Sequence, residues 1–305
     1  MGPRRIVLFV AAAALAVVAC SAGSPGTVSP ARSSAATGTP GSTVPSGSSA
    51  VLILRVAYEG GFISPNAIRT RLPIVSVYAD GRIMTEGATP AIYPGPLVPS
   101  IVVRSVGADG AAAILKAAED AGLAGSGTND ASRPVPDAPT TVITIVGAGV
   151  STVSRFGSLE PGPGPLNSSG SGAGGPADRI RAAAAALLAG LTGTGTFGGT
   201  PTADGVYQPL GFQLFVTLGS PAPSDASLAR PALTWPLATP LATFGRADAL
   251  GGEGARVGAV VGADSATLGP ILAGATQITP FTSGGESWTI VVRPLLPDEV
   301  AALGG

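Results

Sequence analysis

The chain has 305 residues, only 11% of them charged, with a single cysteine and no histidine. Seventeen basic side chains against 18 acidic ones give a formal net charge of −1, so no basic face for nucleic acid follows. The missing histidine excludes Ser-His-Asp and Cys-His catalysis, histidine zinc sites and histidine proton relays.

The N-terminus carries Arg4 and Arg5, an apolar run from Ile6 to Ala19, and then Cys20. A basic start, an apolar stretch and a small residue before the cut make a secretory signal over residues 1–19. The run is too short for a hydrocarbon core that needs about 20 residues. The tetrad Val17-Val18-Ala19-Cys20 resembles the lipobox of bacterial lipoproteins. That resemblance implies a diacylglyceryl group on the Cys20 thiol and cleavage that makes Cys20 the mature N-terminus. Two acyl chains, at about 0.8 kcal/mol per buried methylene, anchor stably. The expected location is the extracytoplasmic face of the cell membrane, with the lipid as the membrane contact. Loss of Arg4 and Arg5 leaves 15 basic and 18 acidic side chains, and no polybasic patch for anionic lipid.

Residues 20–49 read as the lipidated cysteine and a flexible stalk of Ser, Gly, Pro, Thr and Ala. At about 5–6 Å times the square root of its length, the stalk spans roughly 30 Å. Mean hydropathy of +0.43 reflects Ala and Val spread along the chain, and no second apolar run reaches membrane-spanning length. The fold class predicted is α+β, in two small modules: residues 50–193, a linker at 194–205, and residues 206–305. With no second cysteine, no disulfide forms within one chain, and each module rests on its apolar core.

In the first module, 51–58 is a strand ended by Gly60-Gly61, and 72–78 a second strand. Ala79-Asp80-Gly81 is a hairpin turn into a strand at 82–86, because glycine accepts the positive φ that such turns need. Ser105 is placed as the cap of a helix reaching Ala121, with Gly122 as its stop. Strands follow at 140–146 and 150–154, then a Gly/Pro/Ser loop at 157–177. Asp178 is placed as the cap of a helix with Ile180, Ala184, Leu187, Leu188 and Leu191 on one face. In the second module, strands are expected at 212–218, 256–261 and 287–293. A Pro-rich connection covers 219–240, and a helix covers 264–275, with Pro270 bending it or marking a late start.

Gly61-Phe62 and Pro65, then Tyr78-Ala-Asp80-Gly81-Arg-Ile83, then Pro139-Thr140-Thr141 resemble a small bacterial β-β-α-β-β-α domain of unknown function. Those motifs mark hairpins and strand starts and bring no activity with them. Trp235-Pro-Leu and Val292-Arg293-Pro294-Leu295 resemble actinobacterial membrane lipoproteins of unassigned function. A bias to arginine, with Lys116 the single lysine, fits the same high-GC source.

Cys20 is committed to lipid, so thiolate and iron–sulfur chemistry are excluded elsewhere. No serine stands three residues before Lys116, and no P-loop is present. Carboxylates remain: a glycosidase needs a pair about 5–9.5 Å apart, and Glu59, Glu86, Asp137 and Glu286 are the candidates. Asp80 reads as a turn residue, and Asp178 and Asp264 as caps. The 129–137 segment, with Asp130 and Asp137, lacks the alternating acidic spacing of a calcium loop. No metal and no cofactor is expected. Core packing is expected of Tyr78 and Trp288. Trp235 and Tyr93, each beside proline in an irregular loop, are the candidates for a recognition surface. The reading is a lipid-anchored envelope protein with a binding or scaffolding role toward an envelope protein or glycan. The alternatives are a carboxylate-dependent glycan hydrolase and a carrier of a small apolar ligand between the modules.

Overall fold

The computed structural model describes residues 51–125, 129–130, 135–147, 150–161, 175–202, 205–221 and 225–303. The signal segment, Cys20, the stalk and most of the 157–177 loop lie outside the described residues. In chain order the elements are β1 (Leu52–Glu59), α1 (Pro65–Thr70), β2 (Val75–Tyr78), β3 (Arg82–Glu86), β4 (Ile101–Ser105), α2 (Gly107–Asp120), β5 (Asn129–Asp130), β6 (Thr140–Gly147), β7 (Val150–Gly157), α3 (Pro176–Thr192) and β8 (Gly205–Val206). They continue as β9 (Gly211–Leu218), β10 (Leu233–Thr234), β11 (Arg246–Ala247), β12 (Arg256–Val261), α4 (Gly262–Ala273), β13 (Phe281–Ser283), β14 (Glu286–Pro294) and α5 (Pro297–Ala302).

Two sheets result. The first has the order β5-β7-β6-β1-β2-β3-β4-β8, and the second β10-β13-β14-β9-β12-β11. Every pairing is antiparallel except β5 with β7 and β10 with β13. With helices beside mixed sheets, the fold is α+β, as the sequence predicts.

Alternation along the strands divides the first sheet's two faces. Val75, Val77 and Ile83 join one core with Ile114 and Ala118 of α2 and Ala184, Leu188 and Leu191 of α3. Tyr78, Met84, Ile101 and Val103 join a second core with Leu72, Tyr207 and Leu296. All four residues of β2 are therefore buried. In the second sheet, Phe212, Leu214, Val216, Ile290 and Val292 pack on Leu268 and Leu272 of α4 and on Trp235 and Phe281.

Segments are exchanged between the sheets. β8 pairs with β4 across Val102–Val206. Leu97, from the first half of the chain, enters the second core, and its N–H donates to the Ala275 carbonyl at 3.0 Å. Leu295 and Leu296, from the last strand's exit, reach back toward the first sheet, where the Tyr207 hydroxyl donates to the Leu295 carbonyl at 3.1 Å.

Three helix starts differ from expectation, each for a local reason. Ser105 does not cap α2: β4 runs through it, and the chain turns at Gly107, whose φ is +70°. The Ser105 hydroxyl instead accepts from the Gly107 N–H at 3.3 Å. Asp178 lies at the third position of α3, after Gly175 and Pro176, and its Oδ2 accepts from the Gly175 N–H at 3.2 Å. Proline at the first helical position donates no hydrogen bond and none is needed there, so Pro176 sets the start. Asp264 lies in the first turn of α4, which begins at Gly262 and runs through Pro270. The short helices α1 and α5, both opened by proline, have no counterpart among the predicted elements.

Candidate functional site

The candidate site is a cleft of about 590 Å³ between the two sheets. α1 supplies one wall through Asn66, Ala67 and Thr70, and the 87–100 loop supplies another through Thr89, Pro96 and Pro99. Gln277 and Ile290–Val292 of β14 close the side toward the second sheet. Its volume lies inside the roughly 300–1,000 Å³ range of ligand pockets.

Local chemistry explains each wall. Ser64 caps α1 by accepting from the Ala67 N–H at 3.3 Å, and Pro65 opens the helix. Six residues are too few for a helix to persist by itself, so α1 depends on packing. Arg69 provides it: the guanidinium stands 5.5 Å from the Phe215 ring centroid and pairs with Asp248 at 3.0 Å. Both side chains are about nine-tenths buried, which removes most solvent screening from the pair. The opposite wall is tied down by backbone, since Gln277 N–H donates to the Gly95 carbonyl at 3.0 Å and Pro96 bridges to Thr276. Tyr93-Pro94, in this loop, is a cis peptide.

Large apolar side chains stand exposed on both wall segments. Phe62 is 85% exposed just before α1, and Ile92 and Tyr93 are 69% and 59% exposed in the loop. Tyr93, one of the two expected recognition residues, is exposed in the same loop but is not among the residues that line the cleft. Trp235, the other, is buried in the second core, edge-on to Phe244 and Phe281. Its indole N–H donates to the Thr239 carbonyl at 2.8 Å, which satisfies the polar edge inside the Pro-rich connection. Proline beside an aromatic marked an irregular segment correctly but said nothing of which way the ring turned. Tyr78 and Trp288 are buried. Cys20, the expected lipid site, lies outside the described residues.

The four candidate carboxylates are scattered. Glu59 pairs with Arg155 at 3.5 Å on the surface. Asp137 sits at φ +62° and its carbonyl accepts from the Phe62 N–H, a turn role. Glu286 follows Gly284-Gly285 in the β13–β14 hairpin. Glu86 alone lines the main cleft. A second cleft of about 510 Å³, lined by Thr85, Thr192, Thr194, Thr202 and Arg104, has no carboxylate among its lining residues. Among the described residues no three of His, Cys, Asp or Glu gather as metal ligands, and no helix is long and apolar enough to cross a membrane.

A charged network beneath α1 was not foreseen. Asp298 Oδ1 accepts from Arg55 at 2.8 Å and from the Tyr78 hydroxyl at 2.7 Å. Glu299 takes Arg293 in a two-point pair at 3.0 and 2.7 Å and also accepts from the Leu296 N–H. Pro297-Asp298-Glu299 has the proline and acidic first turn of a helix start, the one sequence signal available.

Burial holds both phenols of this region in the neutral form. Tyr78 is raised well above the ordinary tyrosine value, first by desolvation and then by Asp298. Desolvation pushes Tyr207 up to about 12. A phenol whose folded pKa exceeds its unfolded one binds more protons when folded, so stability is full below pH 10 and is lost as pH rises from 10 through 12. The free energy of unfolding is expected to fall by up to about 1.4 kcal/mol per pH unit for each phenol. Urea midpoints at pH 9, 10 and 11 check this. Tyr207→Phe is expected to have a shallower slope; an unchanged slope means that Tyr207 ionises freely in the folded chain.

Comparison with family models, curated proteins and solved structures finds no match to the chain, so the site's chemistry is read from its own residues.

Proposed function

We propose that this chain is a lipid-anchored envelope protein that binds its ligand without transforming it, and that the cleft between the sheets holds a small uncharged amphiphile. The lining of that cleft carries the reading. Aliphatic and proline surface (Ile63, Leu97, Pro96, Pro99, Ile290) alternates with neutral hydrogen-bonding groups (Ser64, Asn66, Thr70, Thr89, Gln277), and the two charged lining residues, Arg71 and Glu86, are of opposite sign. Apolar walls with a few fixed polar groups are the ordinary make-up of a small-molecule site. Glu86 stands there without a second carboxylate, whereas glycoside hydrolysis needs two, about 5–9.5 Å apart. Position between the sheets also fits the carrier role expected from the sequence. The lipid on Cys20 and the stalk would keep this cleft at the extracytoplasmic face of the membrane.

Two measurements test the reading. The full-length chain is expected to take up N-phenyl-1-naphthylamine saturably, and Ala67→Trp, which fills the cleft from its α1 wall, is expected to weaken uptake at least tenfold with an unchanged Tm. Uptake that is absent, or undiminished in the variant, sinks the ligand claim. In cells, an alkyne fatty acid is expected to label the wild type, and Cys20→Ser is expected to abolish the label; a labelled serine variant sinks the anchor.

A further inference from the structure

α1 has a second flank. On it lies a smaller cleft, about 270 Å³, that shares Arg71 and Leu72 with the main cleft. Three arginines line it, Arg55, Arg71 and Arg293, with Tyr58, Gly60 and a single carboxylate, Glu299.

Two of the three guanidiniums are already neutralised. Arg55 bonds Asp298 at 2.8 Å and spends its Nε on the Ser76 hydroxyl. Arg293 meets Glu299 at two points, with its Nε directed to the Arg71 carbonyl at 3.3 Å. Arg71 differs. It donates through Nη1 alone, to the Tyr58 carbonyl at 3.2 Å and the Gly60 carbonyl at 2.8 Å. Among the described residues it has no carboxylate partner. A guanidinium carries five N–H donors in a planar fork, and the edge formed by Nε and Nη2 is the one that pairs with two oxygens of a carboxylate or phosphate. The two carbonyls hold the fork by its other nitrogen, so the ordering cost of that edge is already met. Three guanidiniums against two carboxylates leave one positive charge unbalanced in the cleft.

We propose that this cleft is a binding site for a small oxyanion, a carboxylate or phosphate group on a soluble molecule, with Arg71 as its principal contact. The surplus charge sets the sign of the ligand, the free edge of the fork sets its planar two-oxygen geometry, and the volume limits it to a small group. Arg71 also lines the main cleft, so the two sites are told apart by Ala67→Trp, which fills the main cleft alone and is expected to leave oxyanion binding unchanged.

Isothermal titration of the full-length chain with acetate and with inorganic phosphate, each against chloride at matched ionic strength, tests it. At least one of the two oxyanions is expected to bind saturably with one site, and the pair of titrations tells carboxylate from phosphate. Arg71→Gln is expected to weaken that binding at least tenfold, Arg71→Lys to an intermediate degree, and Lys116→Gln, on the exposed face of α2, not at all. Should Arg71→Gln fail to fold, the wild type still decides: phenylglyoxal modification of Arg71, mapped by mass spectrometry, is expected to slow in the presence of the oxyanion that binds. Neither oxyanion binding better than chloride, or Arg71 modified at the same rate with and without them, overturns the proposal.

Discussion

Arg181→Met is expected to cost about 3–5 kcal/mol of stability, the larger of two effects that the fold makes clear. The Arg181 side chain is completely buried, and its Nη2 donates to the Gly157 carbonyl at 2.7 Å and the Ser158 carbonyl at 2.9 Å. Those carbonyls end β7, where Ser158 adopts a φ of +51° and the chain turns away from the sheet. Ser158 is buried and Gly157 half-buried beside α3. Hydrogen bonds from a charged donor contribute about 1.5–3 kcal/mol each, and a buried carbonyl left without a partner costs about 1–3 kcal/mol. Methionine fills most of the volume and donates nothing, so the loss isolates the polar role from packing. Arg181→Lys keeps the charge and gives up the fork, and about half of the loss is expected to return. Urea denaturation of the three chains checks the order wild type, Lys, Met. A methionine variant as stable as the wild type means that β7 is held at its end by other contacts.

Gly81→Ala is expected to cost about 2–5 kcal/mol, for a reason found in space rather than in φ alone. Gly81 sits in the β2–β3 turn at φ +89°, and its carbonyl accepts from the Val106 N–H at 2.9 Å. A Cβ there would lie 2.2 Å from the Gly107 carbonyl oxygen. The obstacle is backbone, so either the turn or the start of α2 must move. The left-handed conformation costs an alanine about 1–2 kcal/mol, and forced overpacking about 1–3 more. Gly107→Ala separates the two contributions. Gly107 has a φ of +70° with open space where the Cβ would be, so only the conformational cost is expected there. Thermal melts of the two variants should differ by about 1–3 kcal/mol, converted at Tm. Equal losses mean that the close approach of turn and helix relaxes freely.

These two positions also show how far the sequence speaks. Asp80-Gly81 between apolar runs announces the hairpin, because the turn's φ requirement is local. The contact between that turn and Gly107 is not local, and no spacing encodes it. Arg181 falls on the stripe of Ala184, Ala185 and Leu188, so the helix was legible while the acceptors that make its buried arginine tolerable were not. Long β-branched strands such as 140–147 and 286–294 announce themselves by composition. β4 does not: it passes into α2 with no polar turn residues between, and Ser105 imitates a cap at the junction. α1 and α5 span less than two turns each, too short for a 3.6-residue period to register. The site follows the same division. The irregular, proline-flanked setting that Tyr93 and Trp235 share predicts exposure for both, and the rings part ways: Tyr93 is exposed and Trp235 is buried. Arg55, Arg71 and Arg293 share one small cleft although more than 200 positions separate the outer two, a convergence only the closed fold produces.

Both sheets end alike. Their four edges, β5, β8, β10 and β11, are two residues long. An extended peptide that joins a sheet needs a run of unpaired N–H and C=O groups to register against, and two residues offer almost none. Among the described residues these edges therefore offer strand addition little to register against, and the same holds for edge-to-edge association between copies of the chain. At these four edges recognition falls to side chains, which makes specificity there a matter of a few replaceable residues and leaves the backbone scaffold free of that duty.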